Sequence, residues 1–329
     1  MMMAGTFTVA QKELRDQFGS KRFMILFGLV LLLSSLAAYQ GVDFIRDNEN
    51  AGFVYIFSGT QMSFSFIQTM VYFGPLLGLA LGFDAINKER ANGTLSILLG
   101  QPIFRDSVIN GKFLAGAAAL TTLVVGTVGI MSGLAIPMLG FGPTMTEASK
   151  IVVLTLLTIV YLVFWMCLGI LYSVLTKRTS TSIMASIATW LTFSIVISIL
   201  ASVVSGFMVP LPGGSIRIRV QEGQEGQGGP GGFQISEEYM AAMQKRSALM
   251  TTIQKLSPTN LYQEAASDIL GVFRGLMGGR GFQEFQRTLT LTEALAANWA
   301  NIAAIVVGLV ICFAGSYMMF LRSEIRPGE

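Results

Sequence analysis

Between Phe83 and Phe113 the sequence reads FDAINKERANGTLSILLGQPIFRDSVINGKF, setting Lys88, Glu89, Arg90, Arg105 and Lys112 around a short apolar centre. These residue types at these spacings fit recognition rather than catalysis. Thr94 can cap a two-turn helix that Gly100 and Pro102 end, and its Leu95, Leu98 and Leu99 need a cover. That cover is either the lipid surface or a groove on a partner protein. Catalytic sets are missing from the rest of the chain. There is no histidine, which removes the commonest general base and metal ligand. Gly111-Lys112 lacks both the earlier glycine and the hydroxyl of a phosphate-binding loop, and no nucleophile elbow occurs. Cys167 and Cys312 each fall inside an apolar run, so neither a disulfide staple nor a metal site is expected. Nothing in the sequence points to nucleic acid.

The composition places this loop in a membrane protein. Of 329 residues, 52% are hydrophobic and 12% are charged, with a mean hydropathy of +0.62. That charged fraction is about half the usual level of about 25% for soluble domains. Several apolar runs reach the roughly 20 residues that cross a bilayer. The expected fold is an all-α polytopic membrane protein with six transmembrane helices. On sequence these run over Phe23–Tyr39, Gln61–Phe83, Phe113–Leu139, Ile151–Leu175, Ser180–Val209 and Ala297–Leu321. Lys and Arg are counted in the segments between spans. Lys12, Arg15, Lys21 and Arg22 precede span one, four basic residues lie in the Phe83–Phe113 loop, and Lys177-Arg178 follows span four. Arg322 and Arg326 follow span six, whereas the short loops of the other side hold only Arg46 and Lys150. By the positive-inside rule both termini and the Phe83–Phe113 loop are cytoplasmic, and the chain sits in the plasma membrane. Asn92-Gly93-Thr94 is then an idle glycosylation sequon.

Glu89, Gly93-Thr94-Leu95, Leu98-Leu99, Pro102, Arg105 and Gly111-Lys112 form one pattern of 24 residues. It resembles the first cytoplasmic loop of type-2 ABC-transporter permeases, including those of copper-enzyme maturation and of multidrug and sodium export. The resemblance implies that Thr94–Leu99 is a coupling helix docking on a separate ATPase subunit, which would bind ATP and magnesium. It implies that Glu89, Gly93, Thr94, Leu95, Leu98, Leu99, Pro102 and Arg105 serve that coupling. It also implies two permease copies with a pathway between them, and no ATPase activity in this chain. The lead-in from Thr6 to Arg22, with Phe7, Leu14 and Phe18 on one face, is similar to the family's elbow helix. This amphipathic helix lies in the interface and ends at Gly19. Its polar length favours an uncleaved anchor over a signal peptide.

In span two, Gly74, Gly78 and Gly82 recur every four residues with Pro75 beside the first. The spacing predicts a close-packing face, assigned here to the pathway or the second copy. The spans carry no Asp, Glu, Lys or Arg between their ends, which argues against an ion-coupled carrier. Three regions follow: residues 1–209 with spans one to five, residues 210–298 as an extracytoplasmic insertion, and residues 299–329 with span six. Within the insertion, Ile216–Val220 reads as a strand, residues 221–232 as a Gly-rich linker, and Ser236–Leu256 and Asn260–Leu270 as helices. The 18 methionines could suit Cu(I), but they read as apolar helix faces. The function expected is the permease subunit of an ATP-driven exporter. The alternative is a complex that passes ATP-driven motion to an extracytoplasmic partner and moves no substrate.

Overall fold

The computed structural model describes residues 2–48, 51–58, 65–91, 93, 105–211, 216–218, 233–235, 237–271 and 290–322. Among them, six helices are long and apolar enough to cross a membrane: Lys21–Asp47, Phe66–Ala91, Asp106–Leu139, Met145–Leu175, Thr179–Met208 and Leu291–Arg322, here spans one to six. An amino-terminal helix, Met2–Phe18, precedes them. The chain is a multi-pass membrane protein.

Several helices outrun their apolar cores, and local capping explains most of the difference. Span one continues to Asp47, through residues the sequence reads as loop. Its Arg46 donates to the Met138 carbonyl at 2.6 Å and so ties it to the end of span three. Span four starts at Met145 rather than Ile151, because Thr144 and Glu147 form a reciprocal capping box. Lys150 therefore lies in the helix, not in a turn. Span six starts at Leu291, where Thr290 and Glu293 bond each other's backbone in the same way. Residues 291–298, grouped on sequence with the preceding loop, are the first turns of that helix.

Span four is the centre of the bundle. In its most apolar stretch 67% of residues are buried inside the chain, against 6% for span five. Span two lies along it through the glycine face. A methyl group on Gly78 would stand 2.6 Å from the Leu162 carbonyl oxygen and 3.0 Å from the Met166 nitrogen. One on Gly82 would meet the Met166 carbonyl and the Gly169 Cα. Gly74 faces Leu162 and Tyr161, and Pro75 is buried inside the same helix. The close approach expected of small residues is present, but its partner is span four of the same chain. Gly74, Pro75, Gly78 and Gly82, assigned on sequence to a pathway or dimer face, thus pack within the protomer.

The region between spans five and six is only partly a peripheral element. Two short strands, Ile216–Ile218 and Phe233–Ile235, pair antiparallel with Ile216 opposite Ile235. The Gly-rich linker between them lies outside the described residues, as does Ser236, the expected helix cap. Helix Glu237–Gln254 follows, and its Arg246 lies against Gly206 near the end of span five. The next helix, Pro258–Leu270, enters the core. Pro258 opens it, where the missing N–H costs nothing, and Gly271 closes it in the left-handed region at φ +72°. Leu261, Tyr262, Ala265, Ala266 and Ile269 are buried. Tyr262 stacks on Tyr161 of span four with ring centroids 4.2 Å apart and planes 7° from parallel, and Thr158 bonds its hydroxyl at 2.9 Å. Burial pushes the Tyr262 hydroxyl far up from its ordinary value, so it stays protonated.

Span five is interrupted where this helix meets it. Residues Thr192–Val196 form a π-helical turn, which the sequence did not signal. Such a turn disturbs the regular ladder of carbonyl acceptors. Ser257, fully buried, donates to the Phe193 carbonyl at 2.6 Å, and the Ser194 and Thr259 hydroxyls meet at 3.3 Å. The Pro258 helix thus reaches span five by side-chain bonds and span four by stacked rings.

The glycine packing gives a paired test. Gly78→Ala forces backbone apart and should cost about 1–3 kcal/mol, as overpacking does. Gly126→Ala in span three meets no atom within 4 Å and should leave the melting temperature of the purified protein unchanged or raised. Equal melting temperatures for the two variants would contradict the packing described.

Candidate functional site

The charged loop of the sequence analysis leaves and re-enters the bundle at one place. Within span two the helix Phe66–Gly82 is capped by Phe83, and the chain turns and continues as the short helix Asn87–Ala91, while the helix that carries span three begins at Arg105. The amino-terminal helix crosses the start of span three. Gly111 permits the crossing: a Cβ there would lie 2.8 Å from the Val9 Cβ and 3.0 Å from the Thr6 carbonyl oxygen.

The next residue, Lys112, reaches back into this crossing. Its Nζ donates to Glu13 Oε1 at 2.9 Å and to Glu89 Oε1 at 2.7 Å. Its side chain is 5% exposed and those of its partners 16% and 12%, so water screens the triad little. Three segments far apart in sequence are joined: the amino-terminal helix, the end of span two and the start of span three. A buried cation with two carboxylates is held by charge-assisted hydrogen bonds. Removing the cation would leave two carboxylates facing each other without the buried lysine that holds them together.

The same corner is fastened on its other side. The backbone N–H groups of Ile86 and Asn87 donate to Ser173 Oγ at 3.0 and 3.1 Å. Asn87 Nδ2 donates to Thr176 Oγ1 at 3.0 Å, and Ser182 donates to the Phe83 carbonyl at 2.8 Å. Arg22 pairs with Asp84 at 2.9 Å, with its guanidinium 5.5 Å from the Phe83 ring centroid. The chain leaving span two is therefore pinned to span one and to the turn between spans four and five. Beside the triad lies a cleft of about 310 Å3 between the amino-terminal helix and spans one and two.

Of the residues singled out on sequence, Glu89 sits at the heart of the triad. Gly93 follows the short helix in the left-handed region at φ +69°, a conformation that favours glycine. Arg105 opens the helix of span three. Thr94, Leu95, Leu98, Leu99 and Pro102 lie outside the described residues. Sequence reasoning missed Glu13, Ser173, Thr176 and Ser182. Glu13 had a usable signal, because a carboxylate in an amphipathic lead-in must find a cation when its helix packs, and Lys112 stands beside the glycine that admits the helix. The three hydroxyls carried none.

A family model described as ABC-2 family transporter protein matches residues 7–325 of the chain. The chain belongs to the ABC-2 transporter family. The match runs from the amino-terminal helix through span six, so every segment that meets at Lys112 is within the ABC-2 region. The chain is also similar to the probable ABC transporter permease protein NosY of Pseudomonas aeruginosa, 33% identical over 124 residues. That alignment covers 37% of this chain and 43% of the relative, less than half of either.

The triad predicts unequal losses. Lys112→Met should lower stability by about 3–5 kcal/mol, the usual cost of stripping a buried pair of one partner. Glu13→Gln or Glu89→Gln should cost about 1–3 kcal/mol, because one carboxylate still compensates the lysine. Thermal unfolding of the detergent-solubilised chain would read the ranking, and a Lys112→Met variant as stable as wild type would refute it.

Proposed function

We propose that this chain is the membrane-spanning permease subunit of an ATP-driven exporter, working as two copies with a separate ATPase subunit. Both termini and the Phe83–Phe113 loop face the cytoplasm in this reading, and the partner binds ATP and magnesium. Membership of the ABC-2 family supports it, as does the pattern from Glu89 to Lys112. The observation that carries it is the Lys112 triad. Glu89 lies before Thr94–Leu99 and Lys112 after, so both ends of the loop are fixed to one buried point and to the amino-terminal helix. In this reading a push that reaches Glu89 or Lys112 is passed to spans two and three together with the amino-terminal helix, and that is what coupling an ATPase to a pathway requires. Leu95, Leu98 and Leu99 would bind the ATPase groove, with Gly93, Thr94, Pro102 and Arg105 shaping and flanking that helix. Glu89 acts here by holding the loop rather than by touching the partner.

A second reading is favoured by the Pro258 helix. Its bonds to the π turn of span five and its stacked tyrosines on span four would carry motion to the segment between spans five and six. On this reading the complex works mechanically on an extracytoplasmic partner. Substrate-stimulated ATPase activity of the complex in liposomes separates the two, since only transport requires it.

Three outcomes test the proposal. The purified chain, free of other subunits, should show only background ATP hydrolysis. Leu98→Asp should release the ATPase subunit during co-purification while the permease still inserts. A charge there forfeits about 1.5–3 kcal/mol of apolar burial and adds a desolvation cost. Glu89→Ala should retain the ATPase but lower its stimulated turnover. Full ATPase content and normal turnover in Leu98→Asp would reduce Thr94–Leu99 to a helix resting on lipid.

A further inference from the structure

The second half of span five, Ile197–Met208, has one main neighbour. It packs on helix Glu237–Gln254, and apart from the π turn that precedes it neither of the two touches another described helix to a comparable extent. Ala201 and Ser205 are the buried residues of this half, and Gly206 beside them lies against Arg246. A stripe of small side chains thus seats the helix. The two helices are clasped together where they return to the bundle. Ser257 Oγ donates to the Phe193 carbonyl inside the π turn at 2.6 Å, and the Ser194 and Thr259 hydroxyls meet at 3.3 Å. Ser257 stands at the N-cap of the Pro258 helix, where a serine oxygen ordinarily accepts a bond from the first turn. It makes no such bond here. Its hydroxyl therefore has two places to go, the π turn or its own helix.

We propose that Ser257 is a latch that sets whether helix Glu237–Gln254 sits on span five. With the hydroxyl on Phe193, Thr192–Val196 stays a π turn and the small stripe faces the helix. With the hydroxyl turned to cap the Pro258 helix, the same five residues wind as an α turn. The α-helix advances by about 100° per residue, and the π turn had absorbed one residue. Each residue beyond the turn then takes the angular place that its successor had. Leu200 and Val204 come to stand where Ala201 and Ser205 stood, and a contact filled by small side chains has no room for larger ones. The helix is unseated. Its Glu238, Gln244 and Lys245 are exposed already, so it can stand in water once released. This device goes beyond both readings above, because the seating of the helix depends on this chain alone and requires neither a substrate nor an ATPase. A π turn in such a place accords with the general use of these turns at functional sites.

The test is double electron–electron resonance on the full chain in lipid nanodiscs, with spin labels at the exposed positions Met145 of span four and Met243 of the helix. Cys167 and Cys312 are replaced by alanine, and labelled chain is diluted with unlabelled chain so that only distances within one chain are read. Without further change the chain should give mainly one narrow distance. Ser257→Ala should raise the share of a second, broad component at least about fivefold, the shift that loss of one good hydrogen bond supplies. Ser257→Thr, which keeps the hydroxyl, should not. Removing Ile195 takes the extra residue out of the turn and fixes the small stripe in place. The narrow distance should then persist even with Ser257→Ala. Ala201→Leu should unseat the helix whatever the latch does. Should Ser257→Ala elute as an aggregate, Ser194→Ala, a milder cut in the same clasp, decides by the same shift. An unchanged distribution in the clasp variant that folds would overturn the proposal. So would a narrow distance in Ala201→Leu, or a broad component that Ser257→Ala still produces with Ile195 removed.

Discussion

A lysine buried between two glutamates is the constraint on which this architecture turns. Lys112 is too long and too charged to be hidden at the head of an apolar helix unless carboxylates come to it. Glu13 brings the amino-terminal helix, and Glu89 brings the end of span two. The geometry then fixes other choices. Residue 111 must be small for the helix to pass, and the chain after span two must turn inward before it can leave. The hydroxyls of Ser173, Thr176 and Ser182 satisfy the backbone and side-chain groups exposed by that turn.

The bundle itself depends on a different kind of contact. Without water there is no hydrophobic force pressing one apolar helix on another, so close backbone approach takes its place. Spans two and four achieve it with glycines on both sides, Gly78 and Gly82 against Gly169 and its neighbours. Span four is left with its aromatic side chains for other surfaces, and Tyr161 uses one of them to hold Tyr262. A helix from the segment between spans five and six is in this way built into the interior rather than set on top of it.

What the sequence made legible follows from what leaves a local pattern. Apolar runs of bilayer length located all six spans, and the four-residue glycine spacing revealed a packing face. It could not say which helix that face meets, because spacing describes one partner of a contact only. Span ends were misjudged where a cap such as Thr144 with Glu147 extends a helix past its apolar stretch. Glu89 was singled out from a pattern, yet its bond to Lys112 joins positions 23 apart, and Glu13 is 99 away. The Pro258 helix was read as a helix, but its burial depends on a ring stack across 101 residues that no local periodicity encodes.

The π turn at Thr192–Val196 has a consequence for span five as a whole. A π turn inserts one extra residue into an α-helix, and each residue in a helix turns the chain by about 100°. The two halves, Thr179–Leu191 and Ile197–Met208, are thus indexed to each other by a single inserted position. Were Thr192–Val196 wound as an ordinary α-helical turn at the same length, both halves would stay apolar and helical, yet the side chains of the second would swing by roughly a quarter turn relative to the first. The wide turn is therefore not neutral padding: it sets which stripe of the second half is offered to its surroundings, as the teeth of a gear decide where its mark will stop.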